Sequence, residues 1–124
     1  MTNQSRRVVV LGASPKPDRY AFKAMQLLQQ HGFDAVPVNP AFSEILGEPC
    51  YRSIADVPGP IDTVTMYLGN QRSDPLVGEI IAAKPRRILF NPGAENAQLE
   101  QQVEAQGIEV IHGCTLVMLH AHEF

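Results

Sequence analysis

Five short apolar runs punctuate the chain: Arg6–Leu11, Asp34–Val38, Ile61–Leu68, Arg87–Phe90 and Ile108–Ile111. Their residues do not alternate strictly between apolar and polar, as a strand with one wet face would. A continuous β-branched run such as Val8-Val9-Val10 belongs in a strand covered on both faces, the pattern of a parallel sheet. Parallel neighbours require long crossovers, and the segments between the runs supply them.

Those segments carry helix periodicity and recognisable ends. Between Arg19 and His31, Ala21, Met25 and Leu28 recur at i, i+4 and i+7, with Ala24 and Leu27 widening the stripe. Gly32 then supplies a left-handed stop, which puts His31 at a helix end. A second helix is expected from "SDP", capped by Ser73 or Asp74 with Pro75 in its first turn. Val77, Ile80 and Ile81 form its inner face and Pro85 ends it. Asn96 or Glu95 opens a third helix, Leu99 and Val103 face inward, and Gly107 closes it. Thr115–His122 reads as a short helix or an irregular tail, while Asn39–Ser53 is too broken by Pro and Gly for a good helix. At 124 residues the chain is one domain spanning 1–124. Right-handed βαβ crossovers then give a small doubly wound, Rossmann-like α/β domain with a mainly parallel sheet of about five strands.

Composition narrows the function classes. A chain of this length buries roughly two-thirds of its unfolded surface, so its core needs no disulfide staple. Cys50 and Cys114 lie far apart and without metal-ligand spacing, and are read as reduced thiols of a cytoplasmic protein. A formal charge of -3 argues against nucleic acid as a partner, although Lys16 and Arg19 bring local positive charge to the first loop. No apolar stretch approaches the roughly 20 residues that span a bilayer, so no membrane partner is expected. The opening "MTNQSRR" lacks an apolar h-region and a cleavage pattern, and no secretory signal is read there. His112, His120 and His122 cluster near the C-terminus; the last two are read as surface residues rather than a metal clip, and no metal site is assigned.

In open parallel sheets, ligands bind beyond the carboxyl ends of the strands, where the strand order reverses. Three pieces converge on that edge: Gly12–Asp18 after the first strand, Asn39–Pro40 after the second, and Asn91–Gly93 after the fourth. Gly12 permits a tight turn and close approach of a ligand, Ala13 keeps the wall thin, and the Ser14 hydroxyl can donate to an anionic oxygen. The first and third pieces lead into helices, whose N-terminal amides favour a phosphate. Read alone, "GASPKPD" fits an anion cradle or a plain strand-to-helix turn equally well. A dinucleotide site would need glycines where Ser14 and Pro17 stand, and an acid where the second strand ends in Asn39-Pro40. Both features argue against NAD. "NPGAEN" (Asn91–Asn96) adds uncharged amide donors and acceptors across the expected cleft. No catalytic set emerges: Ser14 has no evident histidine partner, and Cys114 in "HGC", near the cleft edge, is read as a buried, inert thiol.

Four segments, "GASPKPDRY", "GFDAVPVNP", "ILGEPCYRSIADVPGPIDTV" and "GIEVIHGCTLVML", stand in the order and spacing of a known family. Across about Val8 to Leu119 the chain resembles the small stand-alone CoA-binding proteins, whose Rossmann-like domain is similar to the N-terminal domain of the succinyl-CoA synthetase alpha subunit. The resemblance implies coenzyme A or an acyl-CoA held over the first loop, with Gly12, Ala13, Ser14, Pro15 and Lys16 at its phosphates and Tyr20 close by. It implies Asn39 and Pro40 beside the nucleotide, and Phe90, Asn91, Pro92 and Gly93 closing the other side, where the family more often has an aromatic-Gln-x-Gly segment. The synthetase works with a second domain, a phosphorylatable histidine and a partner subunit, none of which is evident here, so binding without catalysis is expected. Asn39 suits that ligand, since an acid there would repel the 3′-phosphate of CoA. Two other readings stay open: an acyl-CoA- or nucleotide-dependent enzyme using Ser14 or Cys114, and a CoA-sensing interaction protein. A mixed disulfide between Cys114 and CoA, a homodimer and an unidentified protein partner are likewise left open.

Overall fold

Strands buried on both faces need helices on both sides of one sheet, and the computed structural model, which describes residues 6–124, has that layout. The residues before Arg6, where the absence of a secretory signal is read, lie outside the described part. The five apolar runs become β1 (Arg7–Leu11), β2 (Asp34–Val38), β5 (Thr63–Met66), β6 (Arg87–Phe90) and β7 (Glu109–His112) of one sheet ordered β2-β1-β5-β6-β7. Every neighbouring pair in it is parallel. This is an α/β Rossmann-like fold, as the sequence predicts.

The interior strand β1 explains the missing alternation. Val8 to Leu11 pair with Ala35 to Val38 on one side and Thr63 to Met66 on the other. Val8 and Val10 pack under α1 (Tyr20–Gln30) and α5 (Thr115–His120), against Met25, Leu28 and Leu119. Val9 and Leu11 face the opposite layer, which includes Ile80, Leu99 and Val103 of α3 (Val77–Ala83) and α4 (Ala97–Ala105). Val8, Val9 and Val10 are each 0% exposed, so neither face of β1 tolerates a polar residue.

Helix ends follow the residue chemistry. After α1, Gly32 at φ 84 donates to Gln29 O while the Phe33 amide reaches Leu28 O, a Schellman closure. Gly107 and Ile108 repeat it after α4, bonding Glu104 O and Val103 O. That use of the Ile108 amide explains why the last strand runs from Glu109 rather than Ile108. Asn96, not Glu95, caps α4: its side-chain oxygen accepts from the Leu99 amide.

Two expectations need correction, and a third segment, expected to form no good helix, forms none. The run Ile61–Leu68 shortens to Thr63–Met66, because β1 and β6 offer it partners over those four residues. The second helix starts earlier than Ser73: α2 (Asn70–Ser73) opens after Gly69, and Asp74–Leu76 is a 3₁₀ turn before α3. Pro75 has no N–H to give an α-helical bond, so the segment tightens there instead of beginning there. Within Asn39–Ser53, Glu44–Ile45 (β3) and Glu48–Pro49 (β4) form a small antiparallel hairpin. Its turn residues Leu46 and Gly47 have φ 51 and 80, the positive angles of a twisted two-residue connection. Thr115–His122 resolves to the short helix α5. Among the described residues no helix is long and apolar enough to cross a membrane.

An ion-pair cluster ties the amino edge of the sheet, opposite the expected site. Arg86 Nε donates to Asp62 Oδ1 at 2.8 Å, Thr63 Oγ1 donates to Asp62 Oδ2 at 2.7 Å, and Arg6 Nη1 lies 3.6 Å away. Burial alone would raise the Asp62 carboxyl, but the hydrogen bonds from Arg86 and Thr63 and the charges of Arg86 and Arg6 outweigh it and hold it below its ordinary value. A carboxyl lowered in the folded state stabilises above its unfolded pKa, about 4, and loses that contribution as pH falls through the folded value. Asp62→Asn is therefore expected to unfold more readily than the native chain at pH 7, with the gap narrowing below about pH 4. Urea titrations across that range check it; a gap independent of pH would contradict the ionic role of Asp62.

Candidate functional site

The order β2-β1-β5 places the reversal of strand order between β1 and β5, and the loop leaving β1 turns over that point. Its first residue, Gly12, has φ 93, a conformation costly for any residue with a Cβ. A Cβ there would also stand 2.9 Å from Leu68 Cδ2 and 3.2 Å from the Tyr67 carbonyl carbon. The loop is thus pressed against the residues leaving β5.

The end of β2 grips it from the other side. The amides of Gly12 and Ala13 both donate to Val38 O, at 3.1 and 3.2 Å. Asn39 Nδ2 donates to Ala13 O at 2.7 Å, while Asn39 Oδ1 accepts from the Ala41 amide at 2.9 Å. Ala13 is fully buried, a structural floor rather than a contact surface. Beyond it the loop turns outward: Ser14 Oγ accepts from the Lys16 amide at 3.1 Å, leaving its O–H free to donate, and Lys16 and Tyr20 are exposed. Arg19 makes no side-chain cap, so the first-turn amides of α1 face the site without a protein acceptor from that residue.

The third predicted piece behaves differently. Phe90 is 1% exposed and belongs to the core, so it supports the site from below. Asn91 is also buried, and its amide is fully engaged: Nδ2 donates to Thr65 Oγ1 at 2.7 Å and Met66 O at 2.9 Å, and Oδ1 accepts from the Thr115 amide at 2.9 Å. It staples β5, β6 and the start of α5 rather than offering its amide to a ligand. Pro92 and Gly93 are exposed beside the first loop, although the Gly93 amide donates to Glu95 Oε1 at 3.0 Å.

Three recesses run along this edge. The first, of about 190 Å³, has Leu11, Val38, Ile54, Leu68 and Leu76 in its walls together with Gly12, Asn39, Pro40, Arg52 and Arg72. The second, of about 260 Å³, shares Gly12 with it and adds Ser14, Arg19, Tyr20 and Gly93. The third, of about 250 Å³, shares Tyr20, Tyr67 and Pro92 with the second and reaches Cys114 and Leu116. Gly12, Ser14, Tyr20, Asn39, Pro40, Asn91, Pro92 and Gly93 thus line a track of three recesses with shared wall residues, whereas Pro15 and Lys16 stay outside those walls.

Sequence reasoning missed Arg52, Arg72 and Tyr67. Arg52 sits inside "CYRSI", and Tyr67 follows the third apolar run, yet neither position signals a cleft without the strand order. Burial pushes the Tyr67 phenol up to about 12, against the opposing hydrogen bonds to Thr115 and Thr65, with Cys114 adding to the rise. It is a neutral donor between two recesses. Cys114 is half-buried at the track's end, while Cys50 is buried elsewhere, its thiol pushed up by burial against a backbone hydrogen bond to Asn39. His112 bonds Glu100 at 2.8 Å, and the exposed His122 ring lies 5.5 Å from that of His31. Among the described residues, no group of three or more His, Cys, Asp or Glu could hold a metal ion.

The sequence model of the CoA binding domain matches residues 6–120. The chain belongs to the CoA binding domain family. It is 27% identical over 118 residues to the uncharacterised protein YneT of Bacillus subtilis, covering 95% of this chain and 87% of that one. Over 65 residues, 52% of its length, it is 31% identical to an ADP-forming acetate–CoA ligase of Methanocaldococcus jannaschii, of which the match spans 9%. A crystal structure of an uncharacterised protein superposes with a TM-score of 0.92 at 39% identity, covering 98% of this chain and all of that one (100%).

Three substitutions in this CoA binding domain test the site's construction. Asn91→Ala leaves Thr65, Met66 O and the Thr115 amide short of a buried partner and is expected to lower stability by about 2–4 kcal/mol. Gly12→Ala meets both left-handed strain and a clash, whereas Gly93 (φ 90) has open space around its Cβ direction. Gly12→Ala should therefore lower the melting temperature more than Gly93→Ala; equal or reversed losses would contradict the wedged loop.

Proposed function

We propose that the chain binds coenzyme A or an acyl-CoA along the carboxyl edge of the sheet and does so without chemistry of its own. The observation that carries this reading is the track of three neighbouring recesses, which changes character from end to end. The apolar recess beside Asn39 and Pro40 suits a purine, and the middle segment offers the Ser14 hydroxyl, the start of α1 and Arg19 to a pyrophosphate. The last, walled by Tyr20, Pro92 and Leu116, suits the pantetheine arm, with the Tyr67 phenol available as a donor.

Family membership and the match to an acetate–CoA ligase support CoA rather than another nucleotide. Position is the further support: an elongated, three-part ligand fits a track that a compact nucleotide would fill only in part. For the absence of turnover, the support is that Ser14 Oγ contacts the Lys16 amide, and no imidazole is hydrogen-bonded to Ser14 or Cys114 among the described residues. Neither has the paired base that nucleophilic catalysis requires.

Calorimetric titration with CoA should give saturable one-to-one binding, and a hundredfold excess over Kd should stabilise the fold by about 2.7 kcal/mol. No heat and no thermal shift at millimolar CoA, with stabilisation by NADPH or ATP instead, would overturn the reading.

A further inference from the structure

The apolar recess at the β2 end has two cations in its walls that the binding of adenine does not need. Arg52 comes from the link after β4 and Arg72 from α2, so they approach from separate elements. Both are exposed, and neither makes an ion pair with a described residue. The only carboxylate in the same walls is Glu79, and it accepts a hydrogen bond from Ser53 Oγ at 2.6 Å. Two guanidinium groups against one carboxylate leave the rim of the recess cationic.

An apolar recess with a cationic rim fits a purine whose ribose carries a further anion. Guanidinium forks match phosphate oxygens with paired hydrogen bonds, and two of them suit a phosphomonoester near its full charge of about -2. If the adenosine end lies here, as the proposed function has it, the pyrophosphate is already served by Ser14 and the start of α1. What remains for Arg52 and Arg72 is the 3′-phosphate, which dephospho-CoA lacks.

We propose that Arg52 and Arg72 bind the ribose 3′-phosphate and make this chain selective for CoA over dephospho-CoA. Asn39 beside them is uncharged and does not oppose that anion. Glu79 in the same walls opposes it, and with two guanidinium groups against that one carboxylate the balance stays positive.

Calorimetry of the native chain with CoA and with dephospho-CoA, in low and high salt, tests this. CoA should bind at least roughly tenfold more tightly, and the preference should shrink as salt screens the contact. In the double variant R52Q/R72Q the ratio should fall towards one, with each single variant in between; circular dichroism checks that these surface changes leave the fold intact. Equal affinities in the native chain, or a preference that survives the double variant, would overturn the assignment while leaving the proposed function standing. If neither ligand binds, both fall.

Discussion

The grip of β2 on the loop leaving β1 is the constraint on which the site depends. One carbonyl, Val38 O, accepts from two successive amides, Gly12 and Ala13, and the next residue, Asn39, closes the hold by donating to Ala13 O. Gly12 can take that path because it lacks a Cβ, and it is pressed from behind by Tyr67 and Leu68. The start of the track is therefore fixed by three parallel strands at once.

The sheet supplies that rigidity because it is buried on both faces. Val8 and Val10 anchor one helical layer, Val9 and Leu11 the other, and the reversal of strand order falls beside the same strand. The opposite edge is closed by charge, with Asp62 held by Arg86, Thr63 and Arg6. The carboxyl edge turns Asn91 inward to staple strands and carries Arg19, Arg52 and Arg72 at its surface. One edge is tied by ion pairs, and the other carries the recesses.

Much of this was legible in the residues. The Val8–Leu11 run, the stripe Ala21-Met25-Leu28 and the stops at Gly32 and Gly107 specify strands and helices through local sterics alone. The turn at Gly12–Ser14 and the position of Asn39-Pro40 followed from the parallel order. What a linear reading could not see was the use of side chains in three dimensions. Asn91 looks like a free amide until strand pairing brings Thr65, Met66 and Thr115 to it. Phe90 next to it is absorbed by the core, and Arg52 and Arg72 line one recess although they come from separate elements. Long-range contacts decide those positions, and they have no local signature.

The central claim is that CoA lies across the β1 loop at the reversal of strand order. Backbone amide NMR during a CoA titration reads this residue by residue. The largest shifts are expected at Gly12, Ala13, Ser14, Tyr20, Asn39 and Gly93, with the amino-edge residues Arg6, Asp62 and Arg86 unmoved. Shifts concentrated at the amino edge, or none at saturating CoA, would contradict it.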